Sequence, residues 1–129
     1  MKVLTIRQPW ASLIMTGYKR FEFRSWKTNY KGDLLIHAGK TVDKEAAERL
    51  KKYLPEELPL GQILGKVTVV DCVKCDENLK EKCLKENKDV YAKSSFEERF
   101  AIQLENIKVF EKPIEVKGKL GLWNYDISI

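Results

Sequence analysis

From Arg20 to Trp26 the chain reads Arg-Phe-Glu-Phe-Arg-Ser-Trp. In an extended backbone successive side chains point to opposite faces, so Arg20, Glu22, Arg24 and Trp26 share one face and Phe21 and Phe23 the other. The phenylalanines suit a core, and the charged face suits an opening. Lys19 and Arg24 have the chemistry to neutralise phosphates, the guanidinium as a bidentate donor, and an indole such as Trp10 or Trp26 offers a stacking face worth ~1–3 kcal/mol per base. Glu22 needs a separate account. A carboxylate among phosphate-binding groups repels the ligand unless it pairs with a lysine or accepts a proton from the amino group of a base. The competing structural reading makes Lys19, Glu22 and Arg24 a surface ion-pair cluster, contributing only ~0–1 kcal/mol per pair.

Charge along the chain favours the ligand-binding reading. Residues 1–32 carry seven basic side chains (Lys2, Arg7, Lys19, Arg20, Arg24, Lys27, Lys31) against one acid, Glu22, whereas the other 97 residues carry 17 basic and 18 acidic. The net charge of +5 is therefore concentrated on one segment. Such a field attracts a polyanion, where the same charges interspersed with acids would serve only solubility.

Short elements are expected to position these groups. Lys2 to Arg7 alternates as a strand, with Val3 and Thr5 on one face and Leu4 and Ile6 on the other. Pro9 suits a first helical position, Ala11 to Met15 favours helix, and Gly17 suits a left-handed residue after the last turn. Gln8 then stands at the N-cap, where capping competes with ligand contact. Tyr30 to Asp33 reads as a turn and Leu34 to Ala38 as an apolar strand containing His37. Asp43 caps a helix over Lys44 to Leu54, stopped by Pro55. Gly61 to Val73 reads as a long strand with a bulge at Gly65, and the lysine- and glutamate-rich stretch 74–89 as a solvated helix or insertion. Two strands, Phe100 to Phe110 and Ile114 to Lys117, are expected on either side of Lys112-Pro113, before a closing segment with Leu120, Leu122 and Trp123. No glycine-rich phosphate loop and no internal repeat is visible. This order places the chain in the α+β class as a small curved sheet or barrel, not a doubly wound parallel sheet.

Four blocks in order, Gln8-Pro9-Trp10-Ala11-Ser12, the G-x-K-x-x-E-x-R pattern of Gly17 to Arg24 followed by Ser25-Trp26, Gly61 to Gly65, and Gly118 to Trp123, resemble the ASCH family, the activating-signal-cointegrator homology domain. The resemblance runs over nearly the whole chain, residues 1–129 forming one domain, and looks closest to the cointegrator-type branch. It implies a PUA-like small β-barrel with peripheral helices, a cleft beside the first helix, and binding of nucleic acid, mostly RNA or other single strands. Carried onto this sequence, the binding residues are Gln8, Trp10, Lys19, Arg20, Glu22, Arg24, Ser25 and Trp26. Some family members are amidohydrolases that deacetylate acetylcytidine with a lysine and a threonine of this block. Lys19 matches that lysine, but Glu22 stands at the threonine position, so the nucleophile is missing. Ribonuclease activity is the other enzymatic alternative, and Lys19, Glu22 and His37 are the candidates for acid–base work. A regulatory adaptor for a protein or small ligand is a third reading, with no partner identified.

At 129 residues, 43% hydrophobic and 33% charged, the chain has the make-up of one globular domain, and no apolar run approaches the ~20 residues that cross a bilayer. Its N-terminus lacks the pattern of a secretory signal. Three cysteines, Cys72, Cys75 and Cys83, do not close into disulfides, so a reducing, cytoplasmic setting is expected. The C-x2-C spacing of Cys72 and Cys75 falls short of the four ligands a structural zinc needs, and partly buried free thiols are the expectation, with no metal and no cofactor.

Overall fold

The alternation from Lys2 is realised as strand β1 (Lys2–Gln8), which buries Leu4 and Ile6 in the central core and Val3 in a smaller cluster with Leu35, Ile63 and Trp123. The structure is a computed structural model that describes residues 1–127. Helix α1 (Trp10–Met15) follows, with Pro9 at the N-cap rather than inside the first turn. The Gln8 side chain takes the capping role, its Oε1 accepting from the Ser12 N–H at 2.9 Å. Gly17 adopts φ +87°, the left-handed exit its lack of a Cβ permits.

Strand β2 (Phe21–Arg24) and the eleven-residue β3 (Gly32–Val42) come next. Asp43 caps helix α2 (Lys44–Arg49) by accepting from the Ala46 N–H at 3.1 Å, and a 3-10 turn over Lys51–Tyr53 completes the expected helical stretch. Strand β4 (Gln62–Lys74) leads into helices α3 (Glu77–Glu86) and α4 (Lys88–Tyr91), where the charged stretch packs Cys83, Val90 and Tyr91 against Leu13, Phe21 and Ala101. Strand β5 (Phe100–Glu115) and β6 (Leu122–Asn124) end the described elements. None of the helices is long and apolar enough to cross a membrane.

Two expectations are corrected here. The break at Lys112-Pro113 does not end a strand: β5 runs through it, and the irregularity is a register shift against β4 between Ile63 and Gly65. Proline has no N–H for a ladder, but only Phe100 to Gln103 of β5 pair with β2, so Pro113 sits where that edge is free. The bulge expected at Gly65 is present, with β3 and β5 both shifting register around it. A Cβ there would overlap the Lys108 carbonyl and the Met15 methyl, so only glycine lets these backbones approach.

The second correction concerns the barrel. The six strands form one mixed sheet in the order β2-β5-β4-β3-β1-β6, parallel between β1 and β3 and antiparallel elsewhere, and the sheet is not closed. Strand β6 pairs with β1 only over Lys2 to Leu4. Beyond Leu4, no strand among the described residues takes that flank of β1. Closure there would require pairing with β2; in its place a single side chain crosses, the Arg24 Nη2 donating to the Thr5 carbonyl at 2.9 Å.

Candidate functional site

The open seam between β1 and β2 is a cleft of about 650 Å³, lined on one bank by Thr5, Ile6 and Arg7 and on the other by Glu22, Phe23 and Arg24. Trp10 and Lys19 also line it, with Asp43, Glu45 and Arg49 from the α2 end and Lys93, Ser94, Ser95 and Arg99 from the segment between α4 and β5.

The alternation expected in β2 is met in part, since Phe23 is half-buried and also lines the cleft, while Glu22 is buried. Phe21 is buried in the cluster under α3 and α4, with Phe23 packed edge-on against Tyr91 and Phe96. Entry into the strand is pinned by Tyr91, whose buried phenol oxygen accepts from the Arg20 N–H at 2.9 Å and the Phe21 N–H at 3.3 Å. Burial pushes the Tyr91 pKa far up, so the hydroxyl stays neutral.

With the strand so fixed, Glu22 sits between two cations. Its Oε1 accepts from Lys19 Nζ at 3.0 Å, and its Oε2 from Arg24 Nε at 3.1 Å and Nη2 at 2.9 Å. The Lys19 and Glu22 side chains are only 4% and 10% exposed, so this is no surface ion-pair cluster. Burial works to raise the Glu22 pKa, but the Lys19 and Arg24 charges and hydrogen bonds outweigh it, and the carboxyl is held below its ordinary value. Glu22 is therefore a carboxylate at neutral pH.

Lys19 also donates to the Phe21 carbonyl and lies 5.8 Å from the Trp10 ring centre and 5.0 Å from that of Phe23. Two of its three N–H donors are thus engaged, and the cation–π geometry holds the ammonium in place. Arg24 commits Nε and Nη2 and keeps Nη1 without a partner among the described residues. One buried and one half-buried cation on one carboxylate leave the triad with a net positive charge and donors in reserve.

The rim is more mixed. Arg7 pairs with Asp43 at 3.5 Å, and Glu45 accepts from Lys93 at 2.8 Å and faces Arg49 at 3.5 Å. Arg99 has no ion-pair partner among the described residues. Six cations against three carboxylates make the cleft electropositive.

Of the residues singled out from the sequence, the fold brings Trp10, Lys19, Glu22 and Arg24 to this cleft and sends the others elsewhere. Arg20 precedes β2 and turns away, pairing with Glu105 at 3.1 Å. Gln8 is fully buried, its amide donating to Ser12 Oγ and the Pro59 carbonyl at 2.8 Å each. Ser25 is exposed and Trp26 packs against the central core; neither lines the cleft. Trp123 is buried, its indole N–H donating to Thr5 Oγ1 at 3.0 Å.

His37 lies in a second groove, buried, with Nε2 2.6 Å from the Val116 carbonyl. Cys72 is in the central core, and Cys75 and Cys83 are in or against the cluster under α3, where burial lifts the Cys83 thiol to about 11. Among the described residues, no group of three or more His, Cys, Asp or Glu side chains is arranged to hold a metal.

The residues that sequence reasoning missed are Arg49, Lys93, Ser94, Ser95 and Arg99. Arg49 arrives on α2, and the other four come from the segment that follows α4, whose place is set by the packing of α3 and α4 on Phe21; nothing local in the sequence marks them.

Comparison with known proteins agrees with this architecture. The ASCH domain family matches residues 4–114. Activating signal cointegrator 1 of Homo sapiens and of Mus musculus are each 31% identical to the chain over 137 aligned positions, 98% of this chain and 22% of theirs, so the chain spans about a fifth of the length of these curated relatives. The crystal structure of ASCH from Zymomonas mobilis superposes with a TM-score of 0.58 at 16% identity, covering 88% of this chain and 72% of that one. A serine-to-alanine variant of the same protein gives 0.59 at 18% identity, over 89% and 73%. At that identity the likeness speaks for the fold alone, while the family match and the curated relatives speak for descent. The chain belongs to the ASCH domain family.

Proposed function

We propose that the chain binds single-stranded nucleic acid, RNA foremost, by taking a base and its flanking phosphates into the seam between β1 and β2. The observation that carries this reading is the composition of the cleft: six cations against three carboxylates around a ring, Trp10, that lines the same space. Trp10 serves as the stacking face. Arg99 and the uncommitted Nη1 of Arg24 meet phosphates, and Arg7 joins them by releasing Asp43. Membership of the ASCH family supports nucleic-acid association. Glu22 organises Lys19 and Arg24 and keeps one lone pair, on Oε1, for a donor on the base.

Fluorescence anisotropy with labelled RNA oligonucleotides tests the reading. If about four phosphates are neutralised, log affinity falls against log salt with a slope of about −3. Arg99→Ala, which disturbs no ion pair, weakens binding and flattens that slope by about 0.7. Absence of binding to any RNA or DNA strand at low salt refutes it. The hydrolytic alternative lacks its threonine, and the carboxylate at that position is held ionised between two cations, which gives it no proton to donate at neutral pH. Release of cytidine from acetylcytidine, abolished by Lys19→Ala, would replace the binding reading with that one.

A further inference from the structure

Next to the cleft lies a second groove of about 1040 Å³ between the end of β3 and the segment after β5. The two adjoin: Thr5, Gly39 and Thr41 line both, so the cleft and the groove share these residues as a common border.

The second groove is basic in a different way from the first. Its cations are Lys40, Lys117 and Lys119, its one carboxylate is Glu115, and all three lysines are exposed and without an ion-pair partner among the described residues. In the cleft, by contrast, Arg7, Arg49 and Lys93 are all paired with acids. Engaging an unpaired lysine requires no ion pair to break first, which leaves mainly the ordering of its side chain as the cost. Leu60 and Leu120, 42% and 98% exposed, stand in the same groove as apolar surface.

The floor is firm. Gly118 packs so closely that a Cβ would lie 2.8 Å from Thr5 Oγ1 and 2.9 Å from the His37 ring, and the Val116 carbonyl is held by His37. Val116, just before Lys117, and Gly118, between the two lysines, are thereby held against β1 and β3, so the lysines stand on an anchored edge. Lys119 lies 5.8 Å from the Trp123 ring centre.

We infer that this groove carries the backbone of the same strand onward from the cleft, Lys40, Lys117 and Lys119 tracking its phosphates while Leu60 and Leu120 lie against sugars and bases. The inference rests on the reading of the cleft as a single-strand site. It extends the footprint from the few nucleotides held at the cleft to a run across both depressions. Lysines suit this task, since a point charge on a flexible stem neutralises a phosphate without demanding one orientation, whereas the guanidiniums and ring of the cleft fix a particular nucleotide.

The test compares RNA strands of about four and about twelve nucleotides, both within the range that single-strand grooves occupy. The wild-type protein and the variant Lys40→Gln/Lys117→Gln/Lys119→Gln are titrated with each at several salt concentrations. For the longer strand the variant loses about 2 units of salt slope and, at 50 mM salt, roughly a hundredfold in affinity. For the shorter strand it behaves as wild type. Equal loss on both strands, or none on either while the wild type binds both, overturns the second groove and leaves the cleft reading in place. Failure of the wild type to bind either strand overturns the cleft reading itself. Because all three positions are exposed, the variant's melting temperature checks that its fold is intact.

Discussion

Replacing Glu22 with glutamine removes the one charge that two cations share. The side chains of Lys19 and Glu22 are 4% and 10% exposed, the setting in which deleting one member of an ion pair costs about 3–5 kcal/mol by leaving its partner buried and uncompensated. Arg24 is 24% exposed and recovers some hydration, and the amide oxygen still accepts one hydrogen bond, so the expected loss is about 2–3 kcal/mol. For a domain of this size that is roughly 10 °C in Tm.

The pH dependence is the sharper criterion. The folded-state pKa of Glu22 lies below its ordinary value of 4.5. Its contribution is then complete above the unfolded value and is lost as pH falls through the folded one. Urea unfolding of wild type and Glu22→Gln should show the widest gap near neutrality, unchanged down to about pH 5 and closing steadily in stronger acid. A gap under about 1 kcal/mol at pH 7, or one that persists undiminished in acid, would refute the view that this carboxylate clamps the seam.

Three further substitutions probe the parts around it. Tyr91→Phe removes the acceptor of two amides that start β2 and should cost about 1–3 kcal/mol, seen as a lower urea midpoint and faster hydrogen exchange at Arg20 and Phe21. Gly65→Ala drives a methyl into the Lys108 carbonyl and the Met15 methyl and should cost about 1–3 kcal/mol in the same assay, with no change in m-value. Trp10→Leu keeps apolar bulk against the core but removes the stacking face, so RNA affinity should drop by ~1–3 kcal/mol, while Trp26→Leu, outside the cleft lining, should leave affinity within twofold.

What could be read from the chain beforehand was what a few neighbouring residues decide among themselves. The strand over Phe21 to Arg24, the cap at Asp43, the left-handed Gly17 and the bulge at Gly65 each depend on local sterics or period, and each is present. Arg20 was misplaced because period alone does not say where a strand begins. Tyr91 anchors the backbone at Arg20 and Phe21, and one residue earlier the side chain is free to turn to Glu105. Arg99 and Lys93 were invisible for another reason: their place depends on how α3 and α4 dock, a long-range outcome without a local signature. Closure of the sheet failed on the same ground, since whether β2 pairs with β1 is decided by what fills the gap, here Arg24 and the cleft itself.

The two banks of the cleft belong to strands that are far apart in hydrogen-bonding order, with β5, β4 and β3 between them. Each interstrand step carries a twist of about 20–25°, so the distance across the mouth integrates four such rotations. A small change in coiling anywhere along that path, for instance at the irregular stretch of β4 and β5 around Gly65, is summed into the width of the opening. Aperture is in this way a property of the entire sheet, and substitutions remote from the mouth have a mechanical route to what enters it.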